Sequence, residues 1–139
     1  MNDMPMVEEE YPVTRKIIIS ETDTSGKITY ANKNFCEIMG YTKDELIGKN
    51  HNLIRHPDMP KVIFEKIWTT IKSGKQWQGI IKNLCRDGRY VWLDTEIIAV
   101  KDENDKTRSY IAAYRAVSQK NRDEAKDMYT QMMLQQNIK

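Results

Sequence analysis

At 139 residues the chain has the length of one domain, enough to enclose a hydrophobic core and a small-molecule pocket. Hydrophobic residues at 40% and charged residues at 30% exclude a disordered chain, and 22 basic against 20 acidic side chains, with no dense Lys/Arg run, argue against nucleic acid as a partner. No apolar stretch approaches the ~20 residues needed to span a bilayer and the first ten residues are acidic, so a cytoplasmic protein without a membrane span is expected. Cys36 and Cys85 lack metal-ligand spacing and read as reduced, buried thiols.

A polar lead-in, residues 1–15, is followed by a β-branched run at 16–20, the turn Thr24-Ser25-Gly26 and a second run at 27–31, which together predict a hairpin. From Asn32 to Gly40 the apolar residues Phe35, Ile38 and Met39 recur at helical spacing, and Thr42 with Glu45 forms a capping box for a second short helix ending near Gly48. Ile63, Phe64, Ile67, Trp68 and Ile71 share one face of a longer helix, with Asp58 placed to cap it, Pro60 in its first turn and Gly74 at its end. That stripe is first of all a core face and only secondarily a ligand-facing one.

Residues 76–85 and 90–100 read as strands flanking Arg86-Asp87-Gly88-Arg89, whose Asp-Gly pair is a hairpin signal, and 108–117 supplies a fifth strand after a polar turn at 102–107. The fold class is therefore α+β: a five-stranded antiparallel sheet with short helices over one face. From Ser118 onward Ala125, Met128, Tyr129, Met132 and Met133 take the spacing of an amphipathic helix, which either packs back on its own domain or pairs with another chain. The division is a lead-in (1–15), a sensor domain (16–118) and a C-terminal signalling or interaction helix (119–139).

The chemistry-bearing residues gather in His51-Asn52-Leu53-Ile54-Arg55-His56-Pro57-Asp58-Met59-Pro60, where a guanidinium and two imidazoles precede a helix N-terminus. That arrangement favours an anion, and a diphosphate suits it; alone, the segment would read as a basic surface loop. In the third strand Trp77, Gly79, Ile81 and Asn83 alternate onto one face, so a flat aromatic, a gap and a carboxamide face one cavity suited to a planar heterocycle. Asn83 both donates and accepts, which matches the carbonyl and imino edge of an isoalloxazine; Asn32 is a second candidate amide or a cap.

Beyond this, the run Ile28-Thr29-Tyr30-Ala31-Asn32 with Phe35, then Gly40-Tyr41-Thr42, Glu45-Leu46, His51-Asn52 and Arg55-His56-Pro57-Asp58-Met59-Pro60-Lys61 resembles a PAS domain of the aerotaxis-receptor type, the flavin-binding energy-taxis sensors of bacteria. Phe64, Trp68, Gly74, Trp77, Gly79, Lys82-Asn83, Gly88 and Tyr90-Val91-Trp92 continue the resemblance in order, across residues 16 to 117. It implies FAD held non-covalently between sheet and helices, with Asn32, Trp77 and Asn83 around the ring and His51, Arg55, His56 and Asp58 in the cofactor-binding segment. Asn52, Phe64 and Trp68 complete the expected cofactor-binding set. Two departures are visible: Leu84-Cys85-Arg86-Asp87 is less basic than its counterpart, and Ala99 stands where such receptors have proline.

The receptors also carry a membrane anchor and a helical signalling region that this sequence lacks. A chemotaxis-receptor-like signalling partner is therefore expected in cis or in trans, with a homodimer through the C-terminal helix as a further possibility, and a cytoplasmic location with association to a membrane-bound signalling partner as an option. The alternatives are a haem-binding gas sensor using His51 or His56, and a cofactor-free PAS module that only makes protein contacts. A blue-light flavin sensor would need a cysteine within 52–55, where none stands. No nucleophile with an adjacent base and no Gly-rich phosphate loop is present, so no enzyme is expected.

Overall fold

Strands β1 (Ile18–Thr22) and β2 (Ile28–Ala31) pair antiparallel, with Ser20 opposite Ala31, as the hairpin reading requires. The computed structural model describes residues 5–138; residues 1–4 of the lead-in and Lys139 of the C-terminal helix lie outside the described residues. β1 begins two residues later than its β-branched run. The Ile17 carbonyl instead accepts from the side-chain amides of Asn32 (2.9 Å) and Asn34 (2.7 Å), and the Ile17 side chain is exposed.

Helix α1 (Lys33–Met39) buries Phe35, Ile38 and Met39, and α2 (Lys43–Leu46) carries the expected Thr42/Glu45 capping box. A 3-10 turn, His51–Ile54, which periodicity does not reveal, buries Ile54 and is capped by the Asn50 side chain. Helix α3 (Lys61–Lys72) turns Ile63, Ile67 and Ile71 inward. Its start differs from expectation: Pro60 is the residue before the first turn, no side chain caps the end, and Asp58 Oδ2 instead lies 2.8 Å from Lys82 Nζ. A largely buried ammonium requires a counter-charge, and a charge-assisted bond of about 1.5–3 kcal/mol outweighs a cap of about 1 kcal/mol.

Strands β3 (Trp77–Leu84), β4 (Tyr90–Lys101) and β5 (Thr107–Ala116) complete the sheet in the order β2-β1-β5-β4-β3, every neighbouring pair antiparallel. The last strand thus enters the middle, and the chain crosses from the β2 edge to the β3 edge through α1, α2 and α3. That crossing lays the short helices over one face and encloses the main core of Ile18, Phe35, Met39, Leu46, Leu93 and Tyr114. Cys85 is buried in it and Cys36 half-buried, both free thiols.

Helix α4 (Gln119–Ile138) packs back on the opposite face of the sheet. The Tyr129 hydroxyl donates to the Ile80 carbonyl (2.5 Å), and its ring stacks on Trp92 at 6.2 Å and 10°. Ala125 and Tyr129 are buried, whereas Met128, placed on the stripe by spacing, is 50% exposed. The lead-in is not merely polar: Glu10 bridges to Tyr90, Tyr11 and Val13 pack against the core, and Glu10 ion-pairs with Arg122 of α4.

Candidate functional site

Between the helix-covered face of the sheet and α3 lies a cavity of about 730 Å³, open solvent at its rim included. Each wall follows from local sequence. The 3.6-residue period of α3 brings in Phe64, Ile67, Trp68 and Ile71, and the period of two in the strands brings in Ser20 and Thr22, Ile81 and Asn83, Thr95 and Ile97, and Tyr110, Ala112 and Tyr114. Trp68 meets Tyr110 edge-on at 5.7 Å. Gly26, at φ +89°, lets the β1–β2 turn lie against Trp68, since a Cβ there would approach the indole to 3.1 Å.

The loop from Asn50 to Arg55 forms the remaining wall. Arg55 is joined to Asn83 by a backbone bridge, and its guanidinium lies 3.8 Å from the centre of the Phe64 ring. No carboxylate pairs with it among the described residues, and partial burial lowers its pKa. It is a cation with donors to spare at the edge of a cavity. Asn83 is buried, and its amide nitrogen makes one long bond to the Ile81 carbonyl (3.3 Å), while its oxygen accepts none among the described residues.

Opposite Asn83's strand, three side chains from distant elements meet. His51 Nε2 lies 2.9 Å from the Tyr114 hydroxyl and 3.4 Å from Ser20 Oγ, and the two hydroxyls are 2.8 Å apart. Burial, helped by the charge of Arg55, drives the His51 pKa down to about 4, so the imidazole is neutral. Burial pushes the Tyr114 phenol up, against the lowering effect of its Ser20 bond.

Of the expected site residues, His51, Asn52, Arg55, Phe64, Trp68 and Asn83 line this cavity. Four do not. Asn32 caps α1, its oxygen accepting from Phe35 N–H (3.0 Å) while its amide holds Ile17. Trp77 folds over Gly79, so the gap expected there is filled: a Cβ on Gly79 would lie 2.5 Å from the indole. His56 is buried outside the cavity, its Nδ1 accepting from the Asp58 N–H (3.0 Å), with burial and then the Lys82 charge lowering its pKa. Asp58 faces a second hollow beneath α4, with Lys82, Trp92, Lys126 and Tyr129. The hydrogen bond from Lys82 holds its carboxyl below the usual range.

Ser20, Thr22, Thr95, Tyr110 and Tyr114 were not among the expected residues. Their signal was present in the alternation of β1, β4 and β5, but nothing in a strand's own residues says which of its faces the helices will cover. No cluster of three or more His, Cys, Asp or Glu suited to a metal ion occurs among the described residues, and no helix of these residues is long and apolar enough to cross a membrane.

A protein-family model described as PAS fold matches residues 28–114. The aerotaxis receptor of Escherichia coli (strain K12) is 37% identical over 107 residues, covering 77% of this chain and 20% of the receptor. The nitrogen fixation regulatory protein of Klebsiella pneumoniae is 32% identical over 102 residues, covering 73% of this chain and 21% of that protein. The chain thus spans about a fifth of the length of these curated relatives. Among solved structures, the light state of the blue-light photoreceptor Aureochrome1 LOV superposes with a TM-score of 0.68 at 23% identity, covering 86% of this chain and 91% of that one, a likeness of fold alone.

Proposed function

The chain belongs to the PAS-fold family, and on that premise we propose that it is a sensor domain that holds FAD non-covalently and relays the redox state of the flavin to a signalling partner, without catalysing a reaction of its own. The observation that carries this reading is the pairing of Arg55, a cation at the cavity rim with no acid partner among the described residues, with Asn83, a buried carboxamide whose oxygen accepts no hydrogen bond from them, in a cavity walled by Phe64 and Trp68. In this reading a flat heterocycle lies between these walls with its amide edge at Asn83, and Arg55 takes phosphate oxygens. The similarity to an aerotaxis receptor and to a nitrogen fixation regulatory protein supports a sensory role over a purely structural one.

When bound, the flavin supplies reversible electron and proton uptake at a ring nitrogen beside its carbonyl edge. The protein's part is to hold and read that edge. Asn83 gains by turning its oxygen toward a nitrogen that has become a donor, an exchange of one hydrogen bond worth about 0.5–1.5 kcal/mol. Such a change shifts a balanced equilibrium roughly two- to twelvefold and refolds nothing. β3 is placed to pass it on, because Asn83 faces the cavity while Lys82 and Ile80 face α4. In this reading residues 16–118 sense and residues 119–139 carry the output, in cis or to a chemotaxis-type partner.

The absorption spectrum of the purified protein, before and after incubation with FAD, tests the reading. Flavin bands and FAD on heat release are expected. A Soret band, or no flavin taken up even after incubation, would overturn it.

A further inference from the structure

The segment that begins at His51 divides in two. Its first part lines the cavity and ends at Arg55, while residues 56–60 leave the cavity and run into the start of α3. This second part is stiff. Pro57 and Pro60 fix their own φ angles, the His56 carbonyl accepts from Met59 N–H (3.1 Å), and His56 Nδ1 accepts from Asp58 N–H (3.0 Å). His56, Met59 and Pro60 are buried, so their neighbours hold the turn from the sides, and the Asp58 carboxylate holds its middle to Lys82. Such a segment passes on a displacement at Arg55 rather than absorbing it.

Its far end is fastened to α4. Pro60 has no side chain that could cap α3, and the first amide of that helix, Lys61 N–H, donates instead to Gln136 Oε1 (3.1 Å), 75 residues further on. Among the described residues this is the only hydrogen bond that joins α4 beyond Tyr129 to the rest of the domain. Met132 and Met133 are only half-buried there. The end of α4 therefore has two states, capping α3 or released, that differ by about one bond.

We propose that residues 56–61 are a transmission link between Arg55 and Gln136, through which the C-terminal end of α4 reports whether Arg55 holds an anionic group. That this group is the diphosphate of FAD rests on the flavin reading; the link does not. An anion that holds Arg55 restricts the link, and a restricted Lys61 N–H keeps its acceptor. By reciprocity, a fastened α4 favours the arrangement that holds the anion. This signal differs from the redox change assigned to β3, which reaches the middle of α4 through Ile80 and Tyr129, whereas the link reaches its end and reads occupancy.

The test is amide hydrogen exchange on the full chain, read at residues 130–137 without ligand and with saturating FAD or riboflavin. FAD should slow exchange there roughly fivefold, about the worth of one capping hydrogen bond, and riboflavin, which has no phosphate for Arg55, should not. Gln136→Ala should exchange faster without ligand and lose the response to FAD, whereas Gln136→Glu, which keeps an acceptor at the start of α3, should retain it. Equal effects of the two ligands, none included, overturn the proposal, as does an FAD response that survives in Gln136→Ala. If the unaltered chain takes up neither flavin, the flavin reading fails and the link is decided without ligand. Arg55→Ala, which removes the guanidinium from the Phe64 ring of α3, should then quicken exchange at 130–137 in the unaltered chain and add nothing in Gln136→Ala. Additive effects of the two substitutions, or no effect of Arg55→Ala in either chain, overturn the link.

Discussion

Arg55 and Asn83 are bridged through their backbones, so the last residue of the histidine-containing loop and the cavity-facing amide of β3 are one mechanical unit. The guanidinium extends from that junction over Phe64 with no acid among the described residues to neutralise it. Arg55→Ala should therefore lower FAD affinity about tenfold or more, because a charge-assisted contact to phosphate is worth about 1.5–3 kcal/mol. Riboflavin, which has no phosphate, should lose far less. Equal losses for the two ligands, measured by fluorescence titration, would remove Arg55 from phosphate binding.

The Asp58–Lys82 pair is asymmetric, and its two halves should respond differently to substitution. Lys82 is 8% exposed between Tyr90 and Trp92, while the Asp58 side chain is largely in solvent. Asp58→Asn leaves a buried ammonium without its counter-charge and should cost about 2–3 kcal/mol in urea unfolding. Lys82→Met places an apolar chain among aromatic rings and should cost under about 1 kcal/mol. The reverse ranking would mean that Asp58 stabilises chiefly by some contact other than Lys82.

Acid should weaken the fold in a window set by His51. Its ordinary value is 6.5 and burial brings it to about 4 in the folded chain. Above pH 6.5 the ring is neutral in both states and the stability is fully present. As pH falls from 6.5 toward 4 the unfolded chain takes up a proton that the folded chain refuses, a loss of roughly 3 kcal/mol on completion. His56, lowered in the same direction, adds to it. Urea midpoints at pH 7 and 4.5 should differ strongly in the wild type and much less in His51→Asn; an unchanged difference would show that His51 is not the group responsible.

Signal transfer through β3 should appear at α4. Asn83 and Ile81 face the cavity, while Ile80 accepts from Tyr129 and Lys82 lies beneath the same helix. Hydrogen exchange in α4 should differ between oxidised and chemically reduced protein by a small factor, and Asn83→Ala that still binds FAD should abolish the difference. The redox difference persisting in that variant would exclude Asn83 as its reader.

Local pattern in the sequence was enough to specify the elements. Alternation, helical spacing, the Thr42/Glu45 capping box and the Asp-Gly turn are each satisfied by neighbours within a few residues, and β1 to β5 and α1 to α4 follow them closely. The segment from His51 to Pro60 was legible as a candidate site because its unusual side chains adjoin in sequence, and the fold brings only its first part, as far as Arg55, to the cavity. Which other residues join it was not, because that depends on strand order. Only the entry of β5 beside β1 brings Tyr114 to His51, 63 residues away, and to Ser20, 94 residues away. Asn32, Asp58 and Trp77 illustrate the same limit from the other side. Each has the right chemistry for a ligand, but the fold gave each a nearer need: an open helix end, a buried ammonium and the bare backbone of Gly79. A polar or aromatic side chain serves whichever unsatisfied group reaches it first: for Asn32 and Trp77 that group is a neighbour in sequence, and for Asp58 tertiary structure decides, because only the packing of β3 brings Lys82 to it.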